Sequence, residues 1–172
     1  MLSEKMVEAL NTQINREMYS AYLYMSMSAH SMHIGLKGFA NWFMVQYQEE
    51  MVHAMKFYDY LNSQGGKVKL LDIEAPPTDF DSPLDMFEKT LAHEKKVTRL
   101  IHDLVDLAIA EKDHATNIFL QWFVTEQIEE EGNDNDIIAQ LKLMGDEGNA
   151  LFMIDKELAT RVFVPPAKSS GA

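Results

Sequence analysis

A carboxylate and an imidazole interrupt an apolar helical pattern in the stretch from Gln48 to Phe57, which reads QEEMVHAMKF. Apolar residues recur here with the period of a helix that buries one face, so a polar residue on that face needs a specific reason. Glu50 and His53 are three residues apart and therefore share that face. The stretch predicts a helix that carries two potential metal ligands into a hydrophobic core.

Breaks at glycine, proline and charged residues divide the rest of the chain into similar helical segments. Ser3 suits the N-cap of the first helix, and Ser82 followed by Pro83 suits the start of the third. No segment shows the two-residue alternation of a strand. We therefore predict one all-α domain over residues 1–172, a four-helix bundle with a long connection between its second and third helices, a short fifth helix and a mobile tail at 164–172. The predicted helices span about 3–33, 38–64, 83–111, 114–144 and 149–158.

The polar positions inside the apolar stripes recur at matched spacing. Glu17 and Glu50 are 33 residues apart, and so are Glu94 and Gln127. Residues equidistant from the turn of an antiparallel hairpin lie at the same height, and both midpoints fall at predicted turns. If the second and third helices run parallel, the polar positions of all four helices become level. The connection must then cover roughly 40 Å, and about 17 extended residues can span more than 50 Å.

Four glutamates would meet at this level, namely Glu17, Glu50, Glu94 and Glu130. Unpaired buried charges cost several kcal/mol, or the carboxyls take up protons instead. Two divalent cations would balance the four negative charges, which indicates a dinuclear metal site. Oxygen ligands with one imidazole suit iron, manganese or zinc. Di-iron carboxylate bundles usually carry a second Glu-x-x-His, but the fourth helix has Gln127-x-x-Glu130, which predicts one weaker metal position.

Composition excludes several other classes of protein. The 172 residues are 47% hydrophobic and 24% charged, as is usual for globular domains. A net charge of −12 disfavours nucleic acid and anionic membrane surfaces as partners. The absence of cysteine excludes disulfide scaffolds, thiolate zinc sites, iron–sulfur clusters and cysteine nucleophiles. No apolar run approaches the roughly 20 residues that cross a bilayer, so we expect a cytoplasmic protein.

With these motifs the chain resembles the ferritins, specifically the non-haem bacterial and archaeal type. The similarity covers nearly the whole chain and includes LNTQINREMYSAYLY (10–24), QEEMVHAMKFYDYL (48–61), FLQWFVTEQIEEE (119–131) and FMIDKELATR (152–161). The resemblance implies a five-helix subunit in a hollow shell of 24 copies. It also implies a ferroxidase, which oxidises Fe(II) with dioxygen or hydrogen peroxide and stores the product as ferric oxyhydroxide.

The resemblance also assigns roles to individual residues. It places a first iron on Glu17, Glu50 and His53, with Glu50 bridging to the second iron. It places that second iron on Glu94 and Glu130.

Further residues would surround this pair. Gln127 would lie close to the second iron, and Tyr24 would serve beside the metals as a hydrogen-bond donor or electron source. The resemblance implies a third iron position that shares Glu130 and uses Glu49, Glu126 and Glu129. Taken singly, these last three glutamates are most simply explained by a solvated acidic face.

Two features depart from the family's pattern. The stretch GNDND, which begins at Gly132, consists of poor helix formers and predicts a distortion of the fourth helix beyond the site. Met51 occupies the place where haem-binding relatives, the bacterioferritins, use a methionine. Those relatives keep the second Glu-x-x-His that this chain lacks, which argues against haem. The remaining histidines have no partner at ligand spacing, and we interpret them as surface or turn residues: His30, His33, His93, His102 and His114.

Other functions fit parts of the pattern. A structural shell subunit without redox chemistry would use the polar cluster to specify its fold. A small shell that protects DNA would usually have a basic tail, but the tail here has a single lysine. A di-iron enzyme acting on an organic substrate would share the ligands, although no substrate pocket is visible in the sequence.

Overall fold

The computed structural model describes residues 2–145 and 148–165, and helices are the regular elements within them. They are α1 (Glu4–His33), α2 (Lys37–Ser63), α3 (Pro83–Ala110), α4 (His114–Met144) and α5 (Gly148–Leu158). The predicted all-α class is confirmed, and each helix bound lies within one residue of the sequence expectation. Most of the predicted tail, from residue 166 onward, lies outside the described residues.

Side-chain caps explain where α1 and α3 begin. Ser3 Oγ accepts a hydrogen bond from the Met6 N–H at 3.0 Å, and Ser82 Oγ accepts one from the Asp85 N–H at 3.0 Å. Pro83 occupies the first turn of α3, where its missing N–H costs nothing. The caps satisfy backbone donors that the helices themselves cannot pair.

The connection over residues 64–82 runs back along α1 from one end of the bundle to the other. Near its beginning the Asn11 side chain donates to the Lys67 carbonyl at 3.0 Å. Near its end the Ser26 hydroxyl donates to the Pro77 carbonyl at 2.6 Å. Because these contacts follow α1 in chain order, α3 begins at the same end of the bundle as α2. The two helices therefore run parallel, which brings the polar positions of all four long helices to one level.

Two hydrophobic clusters lie on either side of this polar level. One is built around Tyr24, Phe43 and Phe87, which are fully buried. The other is built around Leu10 and Phe57, also fully buried. Burial of a large apolar side chain contributes about 1.5–3 kcal/mol, so these clusters hold the carboxylates between them in a water-poor interior.

The weak helix formers that begin at Gly132 do not interrupt α4. The helix is continuous from His114 to Met144, so the predicted distortion causes no break. Ile137, Ile138 and Leu141, which follow the weak stretch, are buried in the first hydrophobic cluster. Their packing outweighs the local propensity, because tertiary burial supplies most of the stability of a helix in a protein.

The short helix α5 packs against the beginning of α2. Asp155 Oδ1 accepts hydrogen bonds from the backbone N–H groups of Gly38 at 2.7 Å and Phe39 at 3.1 Å. Leu36, the N-cap residue of α2, makes no side-chain capping bond of its own. The Asp155 carboxylate of α5 therefore caps α2. Its negative charge is also favourable there, because a helix N-terminus is partly positive.

Gly38→Ala is expected to displace α5. A Cβ at this position would lie 1.6 Å from the Asp155 carbonyl oxygen, closer than any non-bonded contact allows. Overpacking of this kind usually costs about 1–3 kcal/mol, and hydrogen exchange should show faster exchange of the α5 amides. Gly132→Ala is the matched control, because its added Cβ meets nothing within 4 Å. Equal protection of α5 in both variants would contradict the predicted close contact.

None of the described helices combines the length and the hydropathy of a membrane-spanning segment.

Candidate metal centre

The polar layer between the two hydrophobic clusters contains six of the residues singled out from the sequence. Each is at most 5% exposed, and they are Glu17, Glu50, His53, Glu94, Gln127 and Glu130. All four long helices contribute, since each carries its polar residues on the stripe that faces the core. The level arrangement expected from the matched spacing is therefore the arrangement observed.

Glu17, Glu50 and His53 form the first compact group. Each offers a ligand atom, and these atoms all lie within 4.8 Å of one another. His53 Nδ1 is 3.5 Å from Glu50 Oε2, and Gln13 Nε2 donates to Glu17 Oε1 at 2.6 Å. Glu17 Oε2 is buried without a hydrogen-bond partner. A buried acceptor left unpaired is costly, so this oxygen is placed where a cation would satisfy it.

His53 also belongs to a second compact group, with Glu126 and Glu130. Its Nε2 atom is 3.9 Å from Glu126 Oε1. Gln46 Nε2 donates a hydrogen bond of 2.7 Å to Glu130 Oε2. The imidazole thus lies between the two groups, with one ring nitrogen toward each.

Glu94 is turned toward neutral hydrogen-bond donors. The Tyr24 hydroxyl donates to Glu94 Oε1, and Gln127 Nε2 donates to Glu94 Oε2 at 3.1 Å. Among the described residues, Glu94 belongs to neither compact group. Gln127 is held in turn by Thr98, whose hydroxyl lies 3.3 Å from its amide nitrogen.

The three additional glutamates of the expected third position have different surroundings. Glu126 joins the second compact group. Glu49 is partly buried and pairs instead with Arg161, whose Nη2 donates to Glu49 Oε2 at 2.6 Å. Glu129 is exposed. In this conformation only Glu126 of the three lies where it could share a metal ion with other ligands.

Burial favours the protonated forms of these carboxyl groups when no cation is bound. Desolvation, reinforced by neighbouring carboxylates, raises the pKa values of Glu17 and Glu50 well above their usual range. Burial and the nearby Glu94 raise the pKa of Glu130 to about 8. A divalent cation would favour the ionised forms, so metal binding at this layer must release protons.

Three residues without a predicted role also surround the centre, namely Asp134, Gln46 and Arg161. Asp134 lies one turn after Glu130, is 1% exposed and has a carboxylate oxygen without a partner. Asp134 lies on the apolar stripe of α4, and Gln46 lies on that of α2, so both could have been predicted to face the core. The sequence gives no such indication for Arg161, because it follows α5 and reaches the centre only through the tertiary fold.

His93, interpreted with the other histidines as a surface or turn residue, is half-buried and packed against the bundle. Its Nε2 lies 2.8 Å from the Ser20 hydroxyl, and its ring packs against Tyr19 and the edge of Tyr24 at centroid distances of 5.8 and 6.1 Å. Burial lowers the pKa of His93 to about 4, so the ring is neutral near pH 7. His93 does not lie on the main apolar stripe of α3, so the apolar pattern gave no indication of this packing.

The sequence and the fold both match known proteins. The family model "Ferritin-like domain" matches residues 7–144. A "Bacterial non-heme ferritin" of Staphylococcus aureus (strain MRSA252) is 42% identical over 163 residues, which cover 95% of this chain and 98% of that protein. The corresponding protein of Staphylococcus haemolyticus is 43% identical over the same length and coverage.

Solved archaeal structures are similar over the same range. An open-pore ferritin from Archaeoglobus fulgidus superposes with a TM-score of 0.94 at 55% identity, over 94% of this chain and all of that one. A closed form engineered from the A. fulgidus ferritin superposes equally well, over 95% of this chain. The family match, the identity over nearly the full length and the shared five-helix fold lead to one conclusion: this chain belongs to the ferritin family.

Proposed function

We propose that this iron-storage protein oxidises the iron that it stores, as a ferroxidase. The observation that carries the proposal is the buried group of Glu17, Glu50 and His53, whose ligand atoms converge and include an unpaired carboxylate oxygen. Glu94 and Glu130 lie in the same buried layer, and a further group that shares His53 contains Glu130 and Glu126. Adjacent oxygen and imidazole donors of this kind suit more than one ferrous ion.

In the proposed reaction, iron is the substrate. The first Fe(II) would bind to Glu17, Glu50 and His53, and Glu50 would also contact the second ion. The second Fe(II) would bind to Glu94 and Glu130. Glu94 must then turn away from the Tyr24 hydroxyl and the Gln127 amide, which now occupy its oxygens. This rearrangement, together with the missing second imidazole, makes the second position the weaker one.

The electron balance follows from the oxidant. Two Fe(II) ions give up one electron each, which reduces dioxygen to hydrogen peroxide with the uptake of two protons. If hydrogen peroxide is the oxidant, the same two electrons and two protons yield two molecules of water. Tyr24 donates to Glu94 in this structure. Once Glu94 has turned toward the second ion, Tyr24 would serve beside the metals as a hydrogen-bond donor or electron source.

A third iron position would use Glu126 with Glu130, and Glu49 and Glu129 would complete it. Glu126 already lies near His53 and Glu130. Glu49 would have to leave Arg161, and Glu129 would have to turn inward from the surface. This position should therefore fill last.

We further propose that copies of the chain assemble into a hollow shell of about 24 subunits, in which the ferric product is deposited. Large apolar side chains on the outer side of the chain support self-association. They include Leu70, Leu71 and Ile73 of the connection along α1, and Tyr22 and Met25 of α1 itself. Several large exposed apolar side chains on neighbouring segments are a common feature of interfaces between proteins.

Loading the protein aerobically with ferrous salt, followed by size determination and metal analysis, tests the proposal. We expect a particle many times the 19.7 kDa subunit mass that retains iron far beyond the ligand capacity of its subunits. A shell that retains only about two or three ions per subunit would be a structural shell without mineral deposition. A monomer would contradict the proposed assembly, and an absorption band of haem would contradict the non-haem assignment.

A further inference from the structure

Arg161 connects the C-terminal segment to the metal centre through three contacts. Its Nη1 donates to Gln46 Oε1 at 2.8 Å, and its Nη2 donates to Glu49 Oε2 at 2.6 Å. Its guanidinium carbon lies 4.5 Å from the centre of the Trp42 ring, a favourable cation–π arrangement. All three partners belong to α2, so the guanidinium is held along one side of that helix.

The contact with Gln46 determines which end of this amide faces the metal ligands. A guanidinium only donates hydrogen bonds, so Arg161 requires the oxygen of Gln46 on its own side. The amide nitrogen is then left to donate to Glu130 Oε2 at 2.7 Å. Without Arg161 the amide is free to turn its oxygen toward Glu130, which would place two acceptors opposite each other.

The contact with Glu49 opposes metal binding, whereas the contact with Gln46 supports it. Glu49 is one of the proposed ligands of the third iron position, but its Oε2 is already paired with a cation. A metal ion at that position must compete with the guanidinium for this carboxylate. Arg161 therefore supports a ligand of the second position and occupies a ligand of the third.

The C-terminal segment is attached to α2 by further contacts that bring Arg161 into place. Asn41 Nδ2 donates to the carbonyl oxygens of Leu158 at 3.2 Å and of Arg161 at 2.9 Å. Together with the Asp155 cap on Gly38, these bonds place the backbone of Arg161 beside α2.

We infer that Arg161 is a positioning residue that links docking of the C-terminal segment to the metal affinities of the centre. It orients Gln46 toward Glu130, which strengthens the second position, and it holds Glu49, which weakens the third. The inference rests on the proposed function, because it takes its metal positions from it. It also explains why two positions of one centre would respond in opposite directions to a single change.

Anaerobic titration of the intact protein with Co(II), followed by visible absorption, tests this inference without any redox step. In Arg161→Met we expect the position formed by Glu17, Glu50 and His53 to keep its affinity, because Arg161 touches none of its ligands. The second position should bind about tenfold more weakly, as is usual when a hydrogen-bonded support of a metal ligand is lost. The third position should bind more tightly, since Glu49 is released.

Two further variants separate positioning from general support of the fold. Arg161→Lys keeps the charge beside Glu49 but replaces the two-pronged donor by a single ammonium. We expect it to leave the third position as in the parent and to weaken the second. Lys156→Met removes a positive charge from α5 at a side chain that lies over Phe152, away from the centre. It should behave like the parent protein.

The possible outcomes are distinguishable. Parental Co(II) affinities at all positions in Arg161→Met would overturn the inference. Equal weakening of all positions, together with faster hydrogen exchange of α5, would also overturn it, because Arg161 would then only support the fold. If the parent binds Co(II) as described but does not oxidise Fe(II), the proposed ferroxidase activity fails and the role of Arg161 is still judged by the Co(II) affinities.

Discussion

Glu50→Ala is expected to lower the initial rate of aerobic Fe(II) oxidation by about a hundredfold or more. Loss of a residue that merely supports a metal ligand typically costs 10- to 100-fold, and Glu50 is itself the proposed bridging ligand. It lies in the first compact group, where its carboxylate also helps to raise the pKa of Glu17. Stopped-flow absorption after mixing with two Fe(II) per subunit measures the rate. His53→Ala should have a similar effect, because His53 belongs to both groups.

Asp59→Ala is the matched control for this experiment. Asp59 is an exposed carboxylate on the same helix, less than three turns after Glu50. Its removal changes the charge of the subunit equally but leaves the centre intact, so the parental rate is expected. If Glu50→Ala oxidised Fe(II) as fast as Asp59→Ala, the centre proposed here would not be the site of oxidation.

Asp134→Asn is expected to stabilise the metal-free protein at pH 8 by about 3 kcal/mol, because the folded protein keeps this buried carboxyl protonated at a pH well above the pKa of an exposed Asp. Burial, reinforced by Glu94 and Glu130, raises the pKa of Asp134 from 3.8 to about 9. The folded state thus binds this proton more tightly than the unfolded state. The resulting stability is fully present below about pH 3.8 and is lost as the pH rises toward 9. Asparagine does not ionise, so the variant should not lose this stability as the pH rises.

Urea unfolding of the metal-free protein at pH 5 and pH 8 checks this prediction. The parent should be less stable at pH 8 than at pH 5, and the difference should shrink in Asp134→Asn. Asp136→Asn makes the same chemical change at an exposed position two residues away, and it should alter stability by less than about 0.5 kcal/mol. An unchanged pH dependence in Asp134→Asn would show that burial does not raise the pKa of Asp134 in the folded protein.

Much of the fold followed from the period of apolar residues. That period predicted five helices, because burying one face of a helix requires an apolar residue every three or four positions. The same counting located the glutamates that interrupt the stripes, and equal spacing in the two hairpins predicted that they are level. The weak helix formers around Gly132 do not end α4, since packing of the helix outweighs their low propensity.

The surroundings of the metal layer depended on contacts between distant segments. Asp134 lies on the buried stripe of α4, but only the fold shows that one of its oxygens has no partner. His93 is packed against Tyr24 from a position outside the main stripe. Such features depend on which side chains from other helices come close, and a periodic pattern within one helix contains no information about them.

The sequence by itself determined the helices, their caps and the level at which the carboxylates meet, because these follow from local hydrogen bonding and from the spacing of apolar residues. Only the tertiary structure decided how the ligands divide into two groups around His53. It alone brought Arg161, more than a hundred residues after Gln46, into contact with the support of Glu130. The physical reason is that hydrogen bonds and charge pairs act over a few ångströms in space, whatever the distance along the chain.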